Sequence, residues 1–323
     1  MNLRGATLIA APALATAVML MIAPAGALAQ EPAQQPTQLD LKIKGVHNGK
    51  VLVGRKVSVL GTLKPFADGQ QVEVSISRGD HALKSQPVEV KASKHGEVGE
   101  FRLRGPKVIQ PGNYHADAAY YGTPELGAAE AHSKSFGPRY PSLHKGSGGS
   151  EVNLFNKLLA KQGYATSHGK KYTQTTAWGV LAFRKVHGMS RVQSASSGIF
   201  KTLAEGRGAY EVQHPGAGTH AEVSLVKQVL VLADGEKPVS TYHISSGTIA
   251  TPSDPGGYQF YRRQPGFNSL GMYYTTYYHG GEGIHGYHSV PTHPASHGCI
   301  RVPIPQAREI YNWVQLGMPI WVY

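Results

Sequence analysis

The chain has 323 residues, a formal net charge of +12 and an apolar content of 41 %. At this length we expect two or three domains, and the apolar content excludes a protein built mainly from membrane spans. Cys299 is the single cysteine, so no disulfide can form within the chain.

The N-terminus is the one strongly apolar stretch. Residues 6–23 are rich in Ala, Leu, Val and Met, Pro24 ends the run, and Ala27-Leu28-Ala29 has the small-residue pattern of a cleavage site. We interpret residues 1–29 as a secretory signal peptide, with an uncleaved anchor as the alternative. The protein is therefore expected in the cell envelope, in the periplasm or the cell wall.

Short alternating strands are predicted for residues 39–137. Apolar residues recur at every second position, as in Val72, Val74 and Ile76, and pairs such as Asp68-Gly69 mark turns between the runs. Alternation with frequent turns is typical of a β-sandwich. We predict an all-β, immunoglobulin-like domain whose role is spacing or binding.

The period becomes helical within residues 146–206. Helices are predicted from Ser150 to Gly163, with Ser150 as the cap, from about Thr176 to His187, and from about Gly198 to Ala204. Three small helices in this length resemble the peptidoglycan-binding module that accompanies wall enzymes. The matching residues are Leu154, Leu158, Gly163-Tyr164, Thr176, Val180, Ala182-Phe183 and Gly188-Met189.

Two positions of this module depart from the family pattern. Gly179 stands where Ala is usual, and Arg184 stands where Gln is usual. The resemblance implies binding to the glycan wall, and a helical spacer is the alternative. A linker rich in Gly and Pro follows, from Glu205 to Thr219.

Positive charge is concentrated before the last third of the chain. Residues 30–219 hold 25 Lys and Arg against 14 Asp and Glu, whereas residues 220–323 hold 6 of each kind. A basic surface favours anionic partners. For an exported protein these are wall polymers or anionic lipid, and we expect no nucleic-acid partner.

Strands return in residues 219–323, which we predict to form the last domain of the chain. Glu222 to Leu232 reads as one alternating strand, Asp234-Gly235 as a hairpin turn, and Val239 to Ile244 as the returning strand. A run of tyrosines, Tyr273, Tyr274, Tyr277 and Tyr278, either lines a groove or packs within a strand.

Cys299 lies in a stretch that is rich in histidine, glycine and proline. An exported protein is in an oxidising environment, where an unpaired thiol is disfavoured unless it has a chemical function. A thiol needs a base to become a nucleophile near neutral pH, and imidazole is the natural partner. Both His285 and His297 are candidates for that base.

The same stretch resembles the L,D-transpeptidases, the YkuD-like catalytic domain of bacterial cell walls. Ile284-His285-Gly286 and Ser296-His297-Gly298-Cys299-Ile300-Arg301 match its two-part signature. The resemblance implies a mainly-β catalytic domain, Cys299 as nucleophile and His285 as the proton-transfer residue. It also implies transfer of a peptidoglycan stem peptide through a Cys thioester to a neighbouring amine. An L,D-carboxypeptidase and a wall-binding protein with little catalysis are the alternatives.

Five further residues are expected to support this chemistry. Gly286 allows its carbonyl to orient His285, the N–H groups of Gly298 and Cys299 form an oxyanion hole, and Ser296 and His297 shape the loop. Arg301 either binds a substrate carboxylate or forms a structural ion pair.

A metal site built from Cys299 and the nearby histidines is a further alternative. His279, His285, His288, His293 and His297 lack the regular spacing of a closed zinc site, so we predict no metal and no other cofactor. The expected partners are stem peptides and the glycan wall, and the oligomeric state is left open.

Overall fold

The computed structural model describes residues 33–94 and 96–323, and the predicted signal peptide lies outside them. Within these residues no helix is both long and apolar enough to cross a membrane. Ten strands precede residue 140 in the described chain: β1 Gln38–Lys44, β2 Lys50–Leu52, β3 Lys56–Lys64, β4 Gln71–Arg78, β5 His81–Glu89, β6 Lys91–Ala92, β7 Gly99–Lys107, β8 Tyr114–Tyr120, β9 Ala129–His132 and β10 Gly137–Arg139.

Two four-stranded sheets enclose the N-terminal core. Their strand orders are β1-β3-β7-β6 and β5-β4-β8-β9, and β2 pairs in parallel with β10. Val72, Val74 and Ile76 of β4 are buried, and their intervening neighbours are partly exposed, as the period of two requires. The all-β prediction is confirmed here, and the immunoglobulin-like identity of the sandwich stays a prediction.

The three predicted helices are present as α1 Ser150–Lys161, α2 Gln174–Val186 and α3 Ser197–Ala204. Ser150 is not the cap of α1, because Gly149 occupies that position with a φ of 106° and Ser150 is the first helical residue. The Ser150 hydroxyl donates instead to Glu151 Oε1 at 3.0 Å. Gly163 follows the end of α1 with a φ of 74°, as predicted.

The C-terminal part has two sheets and one helix. Their elements are β11 Thr219–Ser224, β12 Val229–Asp234, β13 Lys237–His243, β14 Gly256–Gln259, β15 Arg262–Phe267, β16 Tyr273–His279, β17 Glu282–Tyr287, β18 Ile300–Pro303, α4 Ile304–Trp313 and β19 Pro319–Val322. The strand orders are β13-β12-β11-β19-β14 and β15-β16-β17-β18. Residues of both sheets and of α4 form a common hydrophobic core.

The single strand predicted from Glu222 to Leu232 is wrong. A turn over residues 225–228 divides it into the antiparallel pair β11 and β12. The turn contains neither Gly nor Pro, and Gln228 adopts the left-handed φ of 58° that usually favours Gly. Its N–H donates to Ser224 O at 2.7 Å, which closes the turn.

Strand β12 is buried on both faces. Val229, Val231 and Ala233 pack among the helices, whereas Leu230 and Leu232 pack in the core of the C-terminal sheets. The backbone continues this contact, because Thr241 N donates to Gly163 O at 2.6 Å and Ala165 N to Thr241 O at 3.2 Å. The helices are therefore fixed to the catalytic part through both side chains and backbone.

The linker predicted from Glu205 to Thr219 is anchored by a buried carboxylate. The side chain of Glu222 is fully buried, and it accepts the N–H groups of Gln213 at 2.9 Å and His214 at 2.7 Å. Tyr323 donates its hydroxyl to the same carboxylate at 2.8 Å. Burial raises the pKa of Glu222, but these hydrogen bonds outweigh burial and the net pKa is lowered.

We predict that Glu222→Gln lowers the free energy of unfolding at neutral pH by about 1.5–3 kcal/mol, because an amide presents N–H groups to existing donors. The lowered pKa means that this stabilisation is lost as the pH falls through the folded-state pKa, so parent and variant converge in acid. Urea unfolding across a pH series measures the difference. Glu236→Gln, at an exposed turn position, is the matched control, and equal stability of the two variants would contradict the prediction.

Candidate active site

Parallel pairing of β17 with β18 brings the two predicted chemical groups together. His285 lies opposite Arg301 in the register, and Cys299 comes directly before β18. Residues opposite each other in a parallel pair project to the same face, and so do residues two apart. His285 and Arg301 therefore share one face of this sheet, and Cys299 lies in the bend that leads into β18.

The imidazole of His285 is buried, with 3 % of the residue exposed. Its Nδ1 lies 3.0 Å from the carbonyl oxygen of Gly286. Because a carbonyl can only accept, Nδ1 carries the hydrogen and Nε2 is left with its lone pair. This tautomer is the one that can accept a proton at Nε2.

Burial sets the protonation of both groups. It lowers the pKa of His285 to about 4, with a smaller contribution from the positive charge of Arg301. Burial is the largest effect on the Cys299 thiol and raises its pKa. The N–H of Gly283 lowers this pKa and the charge of Glu282 raises it, and the net pKa is raised. At neutral pH the free site therefore holds a neutral imidazole and a protonated thiol, whose proton lies toward Gly281 O at an Sγ–O distance of 3.7 Å.

Gly286 is required by close packing on the side away from its carbonyl. A Cβ at this position would lie 2.8 Å from Ala307 Cβ and 3.1 Å from Ile304 Cα, both on α4. The missing side chain lets α4 approach β17. The strand segment that presents His285 is thereby held against the helix.

The turn from Ser296 to Cys299 is braced by hydroxyl groups. Ser296 is buried and donates its Oγ hydrogen to Cys299 O at 2.5 Å. Ser253, which the sequence analysis missed, donates to Gly298 O at 2.5 Å and accepts Gly247 N–H at 3.0 Å. In the sequence, the short polar residues after Thr251-Pro252 were the feature that could have indicated these hydrogen bonds of Ser253.

Gly298 has a left-handed φ of 111°, which disfavours a side chain. Its N–H donates to Ser296 Oγ at 3.2 Å. In this conformation the N–H of Gly298 is therefore committed to the turn. The N–H of Cys299 is the other oxyanion-hole donor that the sequence suggested.

His297 and Arg301 differ in their surroundings. His297 is exposed to solvent, unlike the buried His285. The guanidinium carbon of Arg301 lies 4.2 Å from the ring centroid of Tyr287, a cation–π contact that leaves its N–H edge available. Within residues 33–94 and 96–323 no carboxylate forms an ion pair with Arg301.

Glu282 is a functional candidate that the sequence analysis missed. It accepts the Tyr278 hydroxyl at 2.9 Å and Asp254 N–H at 3.2 Å. A Cβ on Gly298 would lie 3.1 Å from Glu282 Oε1, so this carboxyl borders the turn that carries Cys299. Burial raises the pKa of Glu282. The available indication was an isolated acidic residue three positions before His285.

The tyrosine run divides between the two predicted roles. Tyr277 and Tyr278 are buried, whereas Tyr273 and Tyr274 are partly exposed. In the described part of the chain, no group of three or more His, Cys, Asp or Glu side chains is arranged to hold a metal ion.

Comparison with known proteins identifies the class of this domain. The family model of the L,D-transpeptidase (YkuD) catalytic domain matches residues 218–322. The crystal structure of an L,D-transpeptidase from Xylanimonas cellulosilytica is similar at 27 % identity and a TM-score of 0.52, covering 58 % of this chain and 98 % of that one. This coverage exceeds the catalytic segment alone.

Two other solved structures resemble this chain at a TM-score of 0.30. The catalytic domain of the Enterococcus faecium L,D-transpeptidase has 25 % identity and covers 33 % of this chain and 98 % of that one. An L,D-transpeptidase from Mycobacterium smegmatis has 12 % identity and covers 88 % and 99 %. A comparison with curated proteins gave no significant match.

Residues 218–322 are thus an L,D-transpeptidase catalytic domain, and the protein is an enzyme of the L,D-transpeptidase class.

We predict that Glu282→Gln raises the rate of Cys299 alkylation by iodoacetamide at neutral pH by about two- to tenfold, because removal of a nearby negative charge lowers the thiol pKa. The amide oxygen still accepts Asp254 N–H. Mass spectrometry of samples quenched at successive times measures the rate, and Glu309→Gln, at an exposed position on α4, is the control. A rate equal to or below that of the parent would contradict the prediction.

Proposed function

We propose that the enzyme is a cysteine acyltransferase that cross-links peptidoglycan stem peptides. The observation that carries this proposal is the tautomer of His285. Its Nδ1–H is directed to Gly286 O, so Nε2 keeps its lone pair, and the strand that pairs with the His285 strand begins directly after Cys299. A base of that kind beside a single, partly exposed thiol supports nucleophilic catalysis.

In the proposed acylation step, His285 takes the thiol proton and Cys299 Sγ attacks the amide carbonyl carbon of the third stem residue. The C–N bond to the terminal D-alanine then breaks, the leaving amine takes the proton, and a thioester remains. An amine of a second stem attacks that thioester, and the thiol regains a proton. The sulfur–carbon bond is exchanged for an amide, and no oxidant or reductant is needed.

The surrounding groups are assigned supporting roles in this proposal. The Cys299 N–H stabilises the oxyanion, and Gly298 N–H joins it when the turn releases Ser296 Oγ. Arg301 binds a substrate carboxylate with the N–H edge that is not stacked on Tyr287. Ser296 holds the turn, and His297 lies at the exposed rim.

We predict that Cys299→Ala abolishes release of D-alanine from a disaccharide-tetrapeptide without unfolding the protein. His285→Ala should lower the acylation rate by about 10²- to 10⁴-fold, since the base is lost. His297→Ala is the matched control and should have a much smaller effect. Mass spectrometry of the products separates a cross-linked dimer from the hydrolysed tripeptide of a carboxypeptidase. Turnover by folded Cys299→Ala, or a larger loss in His297→Ala, would refute these assignments.

We also propose that the protein is exported and retained on the wall by its N-terminal two thirds. The support is the sequence of residues 1–29, the surplus of 25 basic over 14 acidic residues in 30–219, and the module-like helices. Envelope fractions should contain a chain whose mass corresponds to cleavage after Ala29. Because exposed charges are screened beyond about 8 Å at physiological ionic strength, wall retention should fall as salt rises. An uncleaved chain would refute processing, and salt-independent retention would refute the electrostatic part.

A further inference from the structure

A buried lysine joins the helices to the catalytic domain. Lys185 lies on α2 and is 3 % exposed, and its Nζ contacts three acceptors of the C-terminal part. It lies 3.0 Å from Gln228 O, 2.9 Å from Ile244 O and 2.7 Å from His243 Nδ1. Burial lowers the pKa of Lys185 to about 6. In its protonated form the side chain has three N–H bonds, one for each acceptor.

His243 connects Lys185 to the loop between His285 and Cys299. Its Nε2 lies 2.9 Å from Val290 O. A carbonyl only accepts, so Nε2 carries the hydrogen and Nδ1 is free to accept from Lys185. Burial first, and the charge of Lys185 second, lower the pKa of His243 to about 3, so the imidazole is neutral.

A second route leads from Lys185 to the turn that carries Cys299. Gln228, whose carbonyl Lys185 binds, donates from its side chain to Ser246 Oγ at 2.6 Å and accepts Ser246 N–H at 3.0 Å. Ser246 O in turn accepts the N–H groups of Ala295 at 2.8 Å and Ser296 at 2.9 Å. The chain of hydrogen bonds therefore reaches the start of the Ser296–Cys299 turn.

Arg191 gives the helical part a direct contact with the same loop. It follows α2 in the chain, is exposed, and donates to Thr292 O and, at 3.3 Å, to Val226 O. Basic side chains of the helical part thus hold two loop carbonyls, Lys185 through His243 at Val290 O and Arg191 directly at Thr292 O. The carbonyl of His293, like the N–H groups of Ala295 and Ser296, is bound from within the catalytic domain, and its donor is Ser245 Oγ at 2.7 Å.

We propose that Lys185 and Arg191 are positioning residues for the transpeptidase reaction, which hold loop 288–296 in the conformation that presents substrate to Cys299. The helical module is then a part of the active-site scaffold as well as a candidate wall anchor. The inference rests on the proposed Cys299 chemistry for its effect on rate. Its effect on the loop itself does not depend on that chemistry.

The test uses the full chain with Lys185→Met, Arg191→Gln and Arg191→Lys, and with exposed Lys201→Met on α3 as the control. Displacement of a substrate-binding group by about 1 Å can cost 10²-fold in rate. We expect Cys299 acylation by a disaccharide-tetrapeptide to fall at least about tenfold in Lys185→Met and about two- to fivefold in Arg191→Gln. Arg191→Lys should recover part of the loss, and Lys201→Met should match the parent.

Hydrogen exchange supplies a readout that a purely stabilising role would not move. Amides of residues 288–296 should exchange faster in both variants, while those of β11 and β12 keep their protection. Unchanged loop exchange and acylation within twofold of the parent would overturn the proposal, and so would a uniform loss of protection across the domain. If Lys185→Met does not fold, Arg191→Gln decides alone. A parent that is never acylated would defeat the proposed function, whereas the exchange measurement would still test the positioning.

Discussion

The active site depends on two parallel neighbouring strands that follow each other in the chain. Antiparallel strands can be joined by a two-residue turn, but parallel ones need a long crossover connection. Here the connection runs from the end of β17 to β18 and is a loop without a helix of its own. Its backbone polar groups need partners from elsewhere, because buried N–H and C=O groups are costly when unpaired. The hydroxyl of Ser245, the imidazole of His243 and the guanidinium of Arg191 donate hydrogen bonds to carbonyl groups of this loop.

The second organising element is β12. A strand with alternating apolar and polar residues covers one core, whereas β12 is apolar at five successive positions and covers two. Its odd-numbered residues belong to the helical core and its even-numbered ones to the catalytic core. The boundary between the two units therefore passes through a strand, and the hydrophobic contribution of β12 is shared between them.

Local patterns predicted much of this architecture. The apolar period predicted helices α1, α2 and α3, with glycines marking the ends of the first two, and alternation with turn pairs predicted the all-β character of residues 39–137. The family signature identified Cys299 and His285 in the sequence, and the pairing of β17 with β18 puts the two residues on neighbouring chain segments. The turn between β11 and β12 was not predicted, because it contains Gln228 in the left-handed conformation that usually favours Gly.

Contacts between distant positions were beyond the sequence. Lys185 and His243 are separated by 58 positions and neither belongs to a motif, so nothing local indicates that they touch. Glu282 was missed for a related reason, since its importance comes from the close approach of Gly298. The cap of α1 was assigned to Ser150 on residue preference, whereas the positive φ of Gly149 is a property of the folded chain.

The shared strand bears on what counts as a folding unit in this protein. Residues 218–322 are the span that the family model delimits, but a fragment restricted to that span would expose Val229, Val231 and Ala233 to water. It would also leave Gln228 O, Ile244 O and His243 Nδ1 without the Lys185 side chain that contacts them. We therefore expect the smallest stable catalytic fragment of this chain to include α1, α2 and α3 in addition to the homologous segment.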